Sequence, residues 1–269
     1  MNKTKIAILL SGNINEKINA QKIKAGYNLK YCIKILRHQF EKHYDVDYFC
    51  VFNEKFKQIF FNDKLKGHKI IDDSYIQKCF KIDKKKNKKK GLDYQFKRRY
   101  FLSKFVNKYK DYYKFYIYKR NDTILVPNGY GLWDRNVPYE KSTGWKKANY
   151  IDEKYFKKDF KFKDKFDLNY LYYIPYYNSK NELWDGFALG DYKTINHFLN
   201  YKHDNGFVLK PERELFDFLI KNKVKLKDIN DILDIPITDS KLQMITDLRF
   251  VIDNYLEKMK KENKLHLLN

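Results

Sequence analysis

The sequence predicts an α/β fold: one domain with a mostly parallel central sheet flanked by helices. Three observations predict it. The chain opens strand, loop, helix, strand, an order that favours parallel pairing. Its first strand is an unbroken apolar run, as expected of a strand buried on both faces. No internal repeat and no Pro/Gly/Ser-rich linker divides the 269 residues, a length that one large α/β domain accommodates.

Residues 5–10 form that apolar run, and Ser-Gly-Asn closes it as a turn. From 21 to 43 the spacing predicts an amphipathic helix with Ile23, Tyr27, Tyr31, Ile35, Leu36 and Phe40 on one side. YDVDYFCVFN gives a second strand and KIIDDSY a third that runs into a loop. KIDKKKNKKKG reads as a solvated lysine-rich loop. Phe96, Tyr100, Phe101, Phe105 and Tyr109 recur at helical spacing, so a helix follows. It leads into YKFYIYKRNDTILVP: an aromatic strand, Arg-Asn-Asp, then a short apolar run closed by proline. Residues 128–145 are turn-rich, and 154–167 have no clear form. DLNYLYYIPYY is another strand. NELWDGFALGDYKTINHFLN runs strand, turn, helix, with Asp191 as the helix cap. LKPERELFDFLIKN is a helix with Pro211 in its first turn. The C-terminal stretch from Ile235 reads as a strand or irregular segment, then a polar helix.

Composition narrows the function classes. Hydrophobic residues make up 43% and aromatics 18%, which supports a sizeable core and not disorder. No run approaches the ~18 apolar residues of a membrane span. The N-terminal apolar run is too short for a secretory signal, so a cytoplasmic protein is expected. Cys32, Cys50 and Cys79 fit neither a disulfide framework nor a zinc pattern. The net charge of +22 and pI near 9.5 admit nucleic acid, an anionic surface or an anionic small ligand as partner. A chain rich in Lys, Asn, Ile, Tyr and Phe also follows from A/T-rich codons without selection for binding. The scarce arginines are therefore more informative, and Arg98, Arg99 and Arg120 cluster around one predicted strand.

Four local features bear chemistry. Ser11 and Gly12 follow the first strand, where α/β sheets bind ligands, although a tight turn explains the pair as well. Neither a P-loop nor a dinucleotide fingerprint is present. Gln95, Arg98, Arg99 and Ser103 share a helix and are candidate phosphate ligands, with a solvated helix face as the alternative. Arg120 and Asp122 sit where a strand runs out: a phosphate and divalent-cation corner, or a salt bridge. The rival pair, Asp45 and Asp47, opens its strand and reads as surface or turn. Asp185 in WDGFALGD is a candidate general base or sugar-hydroxyl ligand, or the start of an Asx turn. Glu212 caps its own helix or lines the same cleft. His197 and His203 read as structural.

In this order, LLSG, YDVDYFCV, a Gln/Arg-bearing helix, R-x-D, WDGFALGD and a helix opening Pro-Glu resemble the GT-A type glycosyltransferases of large DNA viruses and bacterial capsule and lipopolysaccharide loci. The resemblance spans about residues 5–219. It implies a Rossmann-related GT-A domain, with a nucleotide-binding part at about 1–127 and an acceptor-side part at about 128–269. It implies a nucleotide-sugar donor, UDP-sugar before GDP-sugar, a divalent metal (Mn²⁺ or Mg²⁺), and a glycan or glycoprotein hydroxyl as acceptor. Carried onto this chain, Ser11, Gly12, Gln95, Arg99 and Arg120 bind the nucleotide-sugar, Asp122 takes the metal and Asp185 is the acceptor-side carboxylate. The chain departs from the family in lacking an arginine soon after Gly12 and in having one acid where a full DxD has two. The implied source is a giant virus or an A/T-rich bacterium. The rival classes are a basic nucleic-acid-binding protein and a catalytically inactive glycan-binding relative.

Overall fold

The computed structural model describes residues 3–12, 14, 29–80, 90–121, 124–127, 160–175, 182–201, 211–234 and 242–245. In chain order the elements are β1 (Thr4–Gly12), α1 (Leu29–Glu41), β2 (Tyr44–Phe52), β3 (Leu65–Ile70), α2 (Asp73–Phe80), α3 (Lys90–Val106), β4 (Tyr116–Arg120) and β5 (Ile124–Pro127). They continue with β6 (Tyr170–Pro175), β7 (Leu183–Gly190), α4 (Tyr192–Asn200), α5 (Pro211–Lys221), β8 (Lys225–Asp228) and β9 (Leu242–Ile245).

Seven strands form one sheet in the order β3-β2-β1-β4-β7-β6-β8, and β5 pairs with β9 in a separate antiparallel ribbon. The β3-β2-β1-β4 half is parallel throughout and Rossmann-related. β7 runs antiparallel to both β4 and β6, while β8 is parallel to β6. The protein is thus α/β with a mostly parallel sheet flanked by helices, as the sequence predicts. Chain order reverses between β1 and β4. Crossovers therefore leave to opposite sides there, and open α/β sheets take their ligands at the carboxyl ends of strands beside such a point.

Each central strand feeds two cores. Ile6, Ile8 and Leu10 face one layer, with Ile33, Leu36 and Phe40 of α1. Ala7 and Leu9 face the other, with Phe96 and Leu102 of α3 and Ile195 and Phe198 of α4. Burial on both faces is why β1 reads as an unbroken apolar run. Each fully buried Leu, Ile or Phe contributes about 1.5–3 kcal/mol. Leu36 and Phe40 are buried as expected, while Ile35 is half-buried at the edge of the core. Ile23 and Tyr27 lie outside the described residues.

Three local expectations change. Of the predicted apolar stripe, Phe96 is buried as expected, but Tyr100, Phe101, Phe105 and Tyr109 are only half-buried, while Gln95, Lys97, Arg98, Arg99 and Ser103 are buried. α3 packs against β1, β2, α2 and α4, so it has little free surface for its polar residues to occupy. Asp47, expected at the surface or in a turn, is buried; it accepts from the Tyr113 hydroxyl at 2.8 Å and lies 3.4 Å from Lys5 Nζ. Asp45 does stay near solvent, paired with Lys64 at 2.8 Å. Finally, β8 was not predicted: its sequence, KLKD, carries no apolar run.

Asp191 caps α4 as predicted, its Oδ1 accepting from Thr194 N at 2.7 Å. Cys32 and Cys50 are buried and Cys79 is exposed. Among the described residues no helix is long and apolar enough to cross a membrane.

Candidate functional site

Ser11 and Arg120 are register partners at the carboxyl ends of β1 and β4, on either side of the point where chain order reverses. Ser11 is fully buried, and its Oγ lies 3.1 Å from the Tyr118 hydroxyl, with either group able to donate. Gly12 has φ +152°, a backbone conformation that favours glycine. The space its missing side chain leaves is filled by Asn121: a Cβ on Gly12 would lie 1.8 Å from Asn121 Oδ1. The backbone conformation is what calls for glycine here, since the Asn121 amide is the far end of a side chain that could turn away.

β7 brings the third component. Its pairing with β4 ends at Lys119↔Phe187, so Trp184, Asp185 and Gly186 run past the last paired residue of β4. Its register with β6 is irregular over the same stretch. Trp184, Phe187 and Leu189 belong to one core, while Leu183 and Ala188 belong to the other. Strict alternation would put Trp184 and Phe187 on opposite faces, so the strand changes phase near Gly186. The Trp184 ring lies over that glycine, where a Cβ would be 2.0 Å from the indole. Asp185 is therefore part of a bulged strand; the Asx-turn alternative does not hold.

Asp185 is buried, with 2% of its surface exposed, and is held from several sides. Gln95 Nε2 donates to its Oδ2 at 3.1 Å. Arg99 Nη1 donates to its main-chain carbonyl at 3.1 Å. Arg120 Nη1 lies 3.7 Å from its Oδ1, and the Arg120 side chain retains 19% exposure. Arg120 is thus the arginine of the group with a path to solvent.

Arg99 is fully buried, so the solvated-face alternative does not apply to it. Its guanidinium lies 4.4 Å from the ring centroids of both Phe96 and Phe198. Nε and Nη2 meet no hydrogen-bond acceptor among the described residues. Burial pulls the basicity of Arg99 below its usual value, with Tyr118 and Asp185 acting in the opposite direction. Contacts with the ring faces offset part of the cost of burying the charge, about 0.5–2 kcal/mol each. Burial likewise pushes the Tyr118 hydroxyl up, against Arg99 and the Ser11 hydrogen bond.

The remaining candidates divide. Arg98 is spent on the Ile71 carbonyl at 3.0 Å and on Asp73, tying α3 to the start of α2. Ser103 donates to the Tyr100 carbonyl at 2.8 Å and sits 3.1 Å from Asn200 Oδ1, joining α3 to α4. Glu212 lies in the first turn of α5, which packs on β7. Burial pushes its carboxyl up, and the charges of Asp185 and Glu182 act in the same direction. Asp122 and His203 lie outside the described residues. His197 is half-buried on α4. Among the described residues no group of three His, Cys, Asp or Glu side chains stands together as a cation site.

Sequence reasoning found Ser11, Gly12, Arg120 and Asp185 as separate features, and the fold brings them to one edge. It missed Tyr118 and Asn121. The alternation in YIYKR carried a signal, since Tyr116, Tyr118 and Arg120 share a face.

No protein-family model and no curated protein matches the chain. Among solved structures, it is similar to the glycosyltransferase GlyE of Streptococcus pneumoniae TIGR4, at 15% identity and a TM-score of 0.38. The match covers 84% of this chain and 45% of that one, so the chain spans less than half of that protein's length. So remote a likeness decides nothing about function. The α/β architecture stands on the sheet itself.

Proposed function

We propose that the protein is a nucleotide-sugar-dependent glycosyltransferase, moving a sugar from a UDP- or GDP-sugar to a hydroxyl of a glycan or glycoprotein. One observation carries the reading. Arg120, partly exposed at the end of β4 where chain order reverses, faces the buried carboxylate of Asp185 at 3.7 Å. This pairs a cation for a leaving diphosphate with a carboxylate for an attacking hydroxyl. The ordered motifs that resemble GT-A enzymes support the same reading.

In the proposed step, the acceptor hydroxyl gives its proton to Asp185 as its oxygen bonds to the sugar's anomeric carbon. The carbon–oxygen bond to the diphosphate breaks, and the electron pair leaves on the diphosphate. Arg120 stabilises that charge where it develops. This is the inverting form. Ser11, Gly12 and Asn121 make the floor under the nucleotide. Asp122 is the residue proposed for a divalent cation, which would supply further neutralisation of the diphosphate when bound. The described residues offer no ready-made carboxylate set for it, so no step is routed through it.

The test is calorimetric binding of UDP and GDP with Mn²⁺ and with EDTA, for the wild type and Asp122→Asn. Binding of either nucleotide is expected, weakened by the substitution in the Mn²⁺ arm. Binding of neither, together with salt-steep binding of RNA, would replace the reading with the nucleic-acid class.

A further inference from the structure

Gln95 and Arg99 stand four residues apart on α3, so both project from one face of the helix. Expected on the nucleotide, both instead reach Asp185, across 90 and 86 residues of sequence. Their targets on Asp185 differ. Gln95 takes one carboxylate oxygen, Oδ2. Arg99 takes the main-chain carbonyl, just before the glycine near which β7 changes phase.

We propose that Gln95 and Arg99 are positioning residues for Asp185 and not donor ligands, a role that rests on the reading of Asp185 as proton acceptor. The two contacts restrict different freedoms. An amide donating to Oδ2 fixes the rotation of the carboxylate and leaves Oδ1, the oxygen beside Arg120, as the one that meets the acceptor hydroxyl. A guanidinium donating to the carbonyl fixes the peptide plane from which that side chain springs. A bulged strand lacks part of the ladder that would fix the plane otherwise. Nε and Nη2 of Arg99 meet no acceptor among the described residues, so Nη1 on the Asp185 carbonyl is what holds the guanidinium by hydrogen bonding. Misplacement of a catalytic group by about 1 Å costs on the order of 10²-fold in rate, so such a clamp is measurable.

The experiment uses the full chain with the UDP- or GDP-sugar whose nucleotide binds. It compares wild type, Gln95→Ala, Asp185→Asn and the double variant by kcat, KM and nucleotide Kd. Gln95→Ala is expected to leave nucleotide Kd within about twofold and to lower kcat by about 10- to 100-fold. In the Asp185→Asn background it is expected to cost nothing more, because residues acting as a unit are not additive. If Gln95→Ala weakens nucleotide binding tenfold and its loss persists undiminished beside Asp185→Asn, the residue is a donor ligand and the proposal fails alone. A wild type that neither binds nucleotide nor transfers sugar overturns the proposal with the reading beneath it. Urea unfolding of the same four proteins then shows whether the pair is only a packing contact. Should Gln95→Ala not fold, Gln95→Met keeps the side-chain volume and serves in its place.

Discussion

At the scale of single residues, the site edge is a place where burial and charge conflict. Glu212 illustrates it. Burial and the neighbouring carboxylates raise its pKa above the ordinary value of 4.5. The folded protein therefore holds this proton at a pH where the unfolded chain has released it. Stability from this group falls as pH rises from about that ordinary value through the raised one. Glu212→Gln is expected to flatten that part of the profile and to raise the melting temperature at neutral pH. Denaturation scans between pH 4 and 8 check it, and a steeper profile in the variant would refute the assignment. Asp45 works in the other direction. Lys64 lowers its pKa, so its contribution exists above the ordinary carboxylate range and is lost as pH falls. The pair is partly exposed, which keeps that contribution small.

At the scale of elements, legibility followed chain-local signals. β1, β2, β4, β6 and β7 announce themselves because each is dense in apolar and aromatic residues, although Asp45 and Asp47 interrupt β2 and Asp185 and Gly186 interrupt β7. The cap of α4 was legible for a similar reason: Asp191 acts on an amide three residues away. Asp191→Ala is expected to cost about 1 kcal/mol, read as a lower urea midpoint with an unchanged slope. α3 was not legible in the same way. Gln95, Arg98 and Arg99 look like a solvent face, and only partners far away in sequence, Ile71, Asp73 and Asp185, show that they are interior. The function of a polar residue inside a helix is set by what packs on it, and local periodicity does not carry that. β8 was missed for the complementary reason, since an edge strand of mostly polar residues is paired by its backbone to β6.

At the scale of the whole molecule, two properties stand apart from the site. The first is topology. β7 joins β4, so β1 to β4 and β6 to β8 make one sheet, with β5 and β9 paired apart from it. The two parts that the resemblance distinguishes are therefore continuous through hydrogen bonds. The second is charge. A net +22 on one chain repels itself, and that repulsion opposes the compact state. Raising monovalent salt from about 0.01 to about 0.5 M shrinks the screening length from about 30 Å to a few Å. The melting temperature is expected to rise across that range. A fall would mean that ion pairs such as Lys64–Asp45 outweigh the repulsion. The codon explanation for the lysines and a salt-stabilised fold are compatible, since neither requires a polyanionic partner.

The change of phase in β7 near Gly186 has a consequence for how such a protein can vary. A regular strand transmits any shift along its length, because moving one residue by one position turns every other side chain to the opposite face. Here a joint interrupts that transmission. Phe187 to Gly190 can be repacked against β4 and β6 while Asp185 keeps its aim, and Asp185 can be re-aimed while the sheet keeps its register. Mutational drift in the framework and adaptation at the edge are thereby separated along a single strand. A library randomised from Leu183 to Gly190 would retain folded members in two independent classes, with substitutions at Gly186 rare in both.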